Sequence, residues 1–127
     1  MSPVIFYIED QPEVRKFIKE HLENNGFTVF DFESPTEAKP LISQKKPQVI
    51  LSDITMPNEN GLEFLRDVKS NPEWKHIPFI FLTNIGSQAV RDEARELGVD
   101  GYLLKPETTV ERVVEEINKI LLTKAVT

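Results

Sequence analysis

Cysteine is absent from this chain, which excludes disulfides, thiolate metal sites and a cysteine nucleophile. Its absence also suits a reducing compartment. Long apolar runs are absent too: none approaches the ~20 residues that a membrane helix needs. Met1-Ser2-Pro3 leads straight into a strand-like apolar stretch with no basic segment before it, which is not the pattern of a secretory signal. Positive charge is in short supply, with 15 Lys and Arg against 21 Asp and Glu, for a net charge of −6. No basic stripe offsets that balance, so direct nucleic-acid binding is not expected. The phosphate-cradling glycine loops GxxxxGK[ST] and GxGxxG are missing, as are HExxH and GxSxG. The two histidines, His21 and His76, stand alone, and read as a helix-surface residue and a loop residue. These absences lead us to expect a cytoplasmic domain with no membrane contact.

What remains is 127 residues of ordinary globular composition, enough for one domain over 1–127 with an ordered core over about 3–122. Short apolar runs alternate five times with segments of helical period. Val4 to Ile8 is continuously apolar, as suits a strand covered on both faces. A helix follows over 12–24, with Val14, Phe17, Ile18 and Leu22 at helical spacing and Gly26 as its stop. Residues 27–32 read as a second strand. Ser34, Pro35 and Glu37 form a capping-box pattern opening a second helix. Pro40 falls about one turn in, which predicts a short, kinked or shifted helix. Residues 48–52 and 78–82 are the third and fourth strands, the latter ending at Thr83, and 101–104 is a short fifth. Leu62, Leu65 and Val68 mark the third helix, and Ser87 caps a fourth carrying Val90, Ala94 and Leu97. Thr108 or Thr109 caps a fifth, striped by Val110, Val113, Val114, Ile117, Ile120 and Leu121. Five β–α alternations predict a parallel sheet with helices on both faces.

Such sheets bind ligands at the carboxyl ends of their strands. Glu9 and Asp10 follow the first strand, Asp53 the third, Thr83 and Asn84 the fourth, Lys105 and Pro106 the fifth. Three carboxylates brought together repel one another, and a hard divalent cation relieves that repulsion. A carboxylate beside such a cation, with an ammonium and a hydroxyl near it, is arranged to attack phosphorus, the positive groups neutralising the phosphoryl oxygens. The product is an aspartyl phosphate.

These residues resemble the receiver domain of two-component response regulators. The resemblance covers nearly the whole chain. It rests on Glu9-Asp10, on LSDITMPNENGLEFL (51–65), on LTN (82–84) and on GYLLKP (101–106). It implies a flavodoxin-like α/β fold, a five-stranded parallel sheet in the order 2-1-3-4-5. It implies that Asp53 is the phosphoacceptor, and that Mg2+ (or Mn2+) is held by Asp10, Asp53 and the Thr55 backbone carbonyl, with Glu9 acting through a bound water. Lys105 would pair with the phosphoryl group, Thr83 would swing toward it, Tyr102 would turn inward as the switch, and Lys105-Pro106 would be a cis peptide. The implied donor is a sensor histidine kinase or phosphotransfer protein, the phosphorylated chain would then act on an output partner the sequence does not name, and homodimerisation on phosphorylation is implied by analogy. The job is regulation rather than turnover of a substrate. Asn84, where a small residue is usual, and Glu107, after Lys-Pro, depart from the pattern. The first bears on phosphoryl lifetime, the second on the partner face.

Each residue also has a plainer reading. Asp53 alone is a strand-end or capping carboxylate, Glu9 and Asp10 a solvated loop or N-cap, and Lys105 a surface lysine. Thr83 is a strand terminus and Tyr102 an amphipathic edge aromatic. The rival function is an interaction module of the same fold that does not depend on phosphorylation. An aspartyl phosphohydrolase is disfavoured, because Thr55 stands where a second Asp would be and no cap domain is present. A chain of this length leaves no room for an effector domain, so it reads as a stand-alone regulator or a receiver cut from a longer protein.

Overall fold

The structure is a computed structural model that describes residues 2–125; Met1 and residues 126 and 127, which the expected single domain includes, lie outside the described residues. Five parallel strands, β1 (Val4–Ile8), β2 (Thr28–Phe32), β3 (Val49–Ser52), β4 (Phe79–Thr83) and β5 (Gly101–Leu104), form one sheet in the order β2-β1-β3-β4-β5. The expected order is therefore the one observed. Five helices cover it: α1 (Pro12–Asn24), α2 (Pro35–Lys45), α3 (Gly61–Ser70), α4 (Gln88–Glu96) and α5 (Val110–Ala125).

Strand alternation divides the core in two. Ile5, Tyr7, Leu51, Ile80 and Leu82 pack beneath α1 and α5, against Ile18, Leu22, Val113 and Ile117. Phe6, Ile8, Ile50, Phe79 and Phe81 face the other way, onto Ala38 and Ile42 of α2, Leu65 and Val68 of α3 and Ala94 of α4. Every residue of β3 and β4 is buried, and both strands are apolar up to their closing residues, Ser52 and Thr83. Burying a side chain such as Leu22 completely stabilises the fold by roughly 1.5–3 kcal/mol.

Local signals set the helix boundaries. The Ser34 hydroxyl accepts the Glu37 N–H, and the Glu37 carboxylate accepts the N–H of Glu33, one residue earlier than a standard capping box. Ser87 caps α4 through the Val90 N–H, and Thr109, rather than Thr108, caps α5 through the Arg112 N–H. Gly26 and Gly98, at φ +92° and +94°, end the chain segments that follow α1 and α4 in a conformation other residues rarely adopt.

Three expectations are corrected. Two of the three outcomes expected for α2, a short or a shifted helix, do not occur: it runs eleven residues from Pro35 through Pro40 to Lys45. The bond that Pro40 cannot donate would have gone to the Thr36 carbonyl, and both residues are exposed, so the gap in the ladder lies on the solvent side of the helix. Phe17 does not join the apolar stripe of α1; it is 52% exposed and its ring lies 4.4 Å from that of His21. The buried stripe is Ile18 and Leu22, four residues apart, and Phe17 lies about 100° away from it around the helix. Finally, the Lys105–Pro106 peptide is trans, no cis bond occurring among the described residues. Trans is the form that X–Pro bonds prefer by about 0.5–1 kcal/mol. Pro106 sits in a 3-10 turn, Lys105–Glu107, where a missing N–H loses no helical bond.

Between β3 and α3 the chain forms a two-residue antiparallel hairpin, Thr55–Met56 with Glu59–Asn60, turning through Asn58 at φ +64°. Asn tolerates that left-handed conformation better than most residues. Glu59 accepts both the N–H and the hydroxyl proton of Thr36, tying the hairpin to the start of α2.

Candidate functional site at the carboxyl edge of the sheet

Beyond β1 and β3 the ladder continues for one more step. The Glu9 N–H donates to the Phe32 carbonyl and the Asp53 N–H to the Ile8 carbonyl, both at 3.0 Å. Glu9 and Asp53 are thereby held as extensions of buried strands, at 1% and 6% exposure. Gly61 brings α3 in directly beneath them. Its N–H donates to the Ile54 carbonyl at 2.7 Å, and a Cβ at this position would collide with the Asp53 carbonyl oxygen and the Ile54 Cα. Only glycine permits this approach.

Strand parity sorts the functional side chains. Glu9, Asp53 and Lys105 continue the positions that face α1 and α5, and they meet. The Lys105 Nζ donates to Glu9 Oε1 at 2.6 Å and to Asp53 Oδ2 at 2.8 Å. The other carboxylate oxygens take backbone donors: the Ile54 N–H lies 2.6 Å from Asp53 Oδ1 and the Gln11 N–H 3.1 Å from Glu9 Oε2. Asp10 completes the group, with carboxylate oxygens of Glu9, Asp10 and Asp53 all within 4.8 Å of one another. An all-oxygen carboxylate set of this kind fits a hard divalent cation such as Mg2+.

Burial and charge act in opposition here. Burial pushes the Glu9 carboxyl above the usual glutamate range, against the hydrogen bonds from Lys105 and the Gln11 N–H. Burial alone would lower Lys105, but its bonds to Asp53 and Glu9 reverse that and hold its pKa above the ordinary value.

Thr83 and Tyr102 have the opposite parity, on the side of α4. Thr83 is fully buried and its Oγ1 accepts the Ile85 N–H at 3.2 Å. The Tyr102 hydroxyl donates to the Ile85 carbonyl at 2.7 Å, its ring lies edge-on to Phe81, and the Arg91 guanidinium lies 4.8 Å from the ring centre. The two residues thus share one backbone unit, Ile85, that sequence reasoning did not single out. Asp10, Asp53, Thr55, Thr83, Asn84 and Lys105 line a common cleft of about 490 Å3, while Tyr102 lies outside its lining. A larger cavity of about 780 Å3, walled by Trp74, Ile77 and Leu121, lies at the opposite end of the sheet, away from the acids.

The sequence reading also missed a bracket around Glu9. Arg15 of α1 donates to the Glu9 carbonyl at 2.7 Å and to Asp31 of β2 at 3.1 Å, and Lys19 reaches Asp31 at 3.0 Å. The i, i+4 spacing of Arg15 and Lys19 on a helix beside an acid-bearing strand was the available signal.

Known proteins resemble this chain in sequence and in fold. The family model described as the response regulator receiver domain matches residues 5–118. Over 121 residues the chain is 30% identical to the polar-differentiation response regulator DivK of Brucella ovis, covering 95% of this chain and 98% of that protein. It is 30% identical over 102 residues to the KDP operon transcriptional regulatory protein KdpE of Escherichia coli K12, covering 80% of this chain and 44% of KdpE. The chain therefore spans about half the length of the first curated relatives it matches. The chemotaxis response regulator CheY4 of Vibrio cholerae shares the fold, with a TM-score of 0.86 at 24% identity over 94% of this chain and 99% of that one.

Proposed function

The chain belongs to the response regulator receiver domain family, and from that premise we propose that residues 1–127 form one receiver domain that accepts a phosphoryl group on Asp53 and thereby changes its partner-binding face. The observation that carries this reading is the Lys105 ammonium bridging Asp53 and Glu9 within a cluster of three carboxylates at the strand edge. An oxygen of the Asp53 carboxylate attacks phosphorus of a phosphohistidine on a histidine kinase or phosphotransfer protein. The new bond is P–O, the bond broken is P–N, and the imidazole leaves and takes up a proton.

Asp10, Asp53 and the Thr55 carbonyl would hold Mg2+ or Mn2+, with Glu9 acting through a water, and the cation would supply neutralisation of the phosphoryl oxygens. Lys105 supplies the second positive charge from the protein itself. Thr83 donates its hydroxyl proton to a phosphoryl oxygen, and this draws on the Ile85 unit to which Tyr102 is also tied. The signal then leaves through α4, β5 and α5, the surface offered to an output partner or to a second copy of the chain. Asn84 stands exposed at the rim of the cleft and governs the access of water to the aspartyl phosphate.

Intact mass after incubation with acetyl phosphate tests the reading. We expect one Mg2+-dependent, hydroxylamine-labile phosphoryl adduct on the native chain and none on Asp53→Ala. Failure of the native chain to accept a phosphoryl group, from this donor or from a purified kinase, would leave the phosphorylation-independent interaction module in its place.

A further inference from the structure

Tyr7 lies in the middle of β1, 1% exposed, and its hydroxyl is the one buried side-chain polar atom without a hydrogen-bond partner among the described residues. A buried hydroxyl left in that condition is unusual, because burial strips its water and nothing replaces it. Phenylalanine would fill the same space at no such cost. The position of the hydroxyl offers a reason for its presence.

Strand alternation turns Tyr7 toward α1 and α5, the side that Glu9 continues two residues on, about 7 Å along the strand. Its register partners are Asp31 on β2 and Leu51 on β3, and Asp53 lies two residues beyond Leu51. The phenol thus lies on the inner side of the same face that carries Glu9, Asp53 and Lys105 at its rim. Among the charged groups that act on it, Glu9 comes first and Asp53 second, both reinforcing the effect of burial in keeping it protonated.

In the structure Glu9 does not need this donor, because Lys105 occupies Oε1 and the Gln11 N–H occupies Oε2. The demand arises when Asp53 carries a phosphoryl group and draws the Lys105 ammonium onto its oxygens. Glu9 then keeps the Gln11 N–H and, with the cation bound, the water through which it would reach the cation, but loses its charged donor on Oε1, a costly change for a buried carboxylate. We propose that Tyr7 is a positioning residue that takes over from Lys105, its hydroxyl donating to the Glu9 carboxylate when Lys105 moves to the phosphoryl group on Asp53. The proposal rests on the phosphoacceptor reading above.

The test compares the native chain with Tyr7→Phe, using Mg2+ and beryllofluoride, a non-covalent mimic of the phosphoryl group. Without beryllofluoride, Tyr7→Phe should be at least as stable to urea as the native chain, since it removes an unpartnered group. With it, beryllofluoride should bind about 10-fold more weakly to the variant, the loss of one hydrogen bond to a charged group, while Mg2+ affinity alone stays unchanged. The chain has two tyrosines, so Cζ-labelled tyrosine gives two resonances, and the one missing from Tyr7→Phe is that of Tyr7. In the native chain it should shift when beryllofluoride binds. Equal beryllofluoride affinity in the two chains, a Tyr7 resonance that stays in place, or a variant less stable before beryllofluoride is added would each overturn the proposal. A native chain that binds beryllofluoride and takes up acetyl phosphate, with no effect of Tyr7→Phe, removes the Tyr7 role alone. A native chain that does neither removes the phosphoacceptor reading, and the Tyr7 role with it.

Discussion

Lys105 is where the competing forces at the site meet, because one ammonium serves two buried carboxylates and, among the described residues, each of them has one further donor. The arrangement has consequences for stability against pH. Burial holds the Glu9 pKa above its ordinary value, so the folded state binds that proton more tightly than the unfolded chain does. Its contribution therefore favours folding in acid and is lost as pH rises from the ordinary glutamate range through the folded value. Asp31 has the opposite sign. Burial would raise it, but Lys19 and Arg15 outweigh burial and lower its pKa. Its contribution is present above the ordinary aspartate range and lost as pH falls through the folded value. In urea titrations without divalent cations, we expect Glu9→Gln to exceed the native chain in stability at neutral pH and to lose that lead in acid. Asp31→Asn should be the weaker chain at neutral pH, with its deficit closing in acid.

At the scale of elements, the short connection between β3 and α3 does the positioning. The hairpin turns the chain back within six residues, Glu59 anchors it to α2, and Gly61 lets α3 begin against the backbone of Asp53. A methyl group at 61 meets backbone rather than a flexible side chain, so the strain has no easy outlet. Gly61→Ala should cost about 1–3 kcal/mol of stability and, because the atom it strikes belongs to Asp53, should also slow phosphoryl uptake in the remaining folded protein. Urea unfolding and the rate of acetyl phosphate labelling measure the two effects separately. α2 makes a contrasting case. Pro40 interrupts a ladder bond, yet the helix continues, because the interruption lies on its exposed face while Ala38 and Ile42 are buried on the other.

For the whole molecule, the carboxyl edge of the sheet gathers the three carboxylates Glu9, Asp10 and Asp53 around the Lys105 ammonium. No helix among the described residues is long and apolar enough to cross a membrane. A ligand that binds the folded state and not the unfolded chain adds stability by mass action, about 1.4 kcal/mol for each tenfold excess over its dissociation constant. Mg2+ should therefore raise the melting temperature of the native chain in a concentration-dependent way, and the increment should shrink or vanish in Asp10→Asn. A melting temperature that ignores Mg2+ in the native chain would contradict the assignment of the three acids to a cation. Because the effect is read from global unfolding, it tests the metal site without requiring phosphorylation.

The five strands, the helix caps at Ser34 and Ser87 and the gathering of Glu9, Asp10, Asp53, Thr83 and Lys105 at one edge were legible in the sequence, since they follow from local periodicity and from the rule that parallel sheets present their carboxyl ends together. Membership of the receiver family was legible as well, through the motifs at 51–65 and 101–106. The trans form of Lys105–Pro106, the exposure of Phe17, the unbroken course of α2 and the hairpin at 55–60 were not. Each depends on a partner or a solvent front that no local pattern encodes: which side of a helix meets the sheet, whether a lost N–H faces water, how closely α3 can approach Asp53. The same holds for the sharing of Lys105 between two acids, the joining of Thr83 to Tyr102 through Ile85 and the unpartnered hydroxyl of Tyr7. A sequence states which groups are available, but only the packed sheet brings residues 9, 53 and 105 within hydrogen-bond reach, because that contact is made across three strands and not along one.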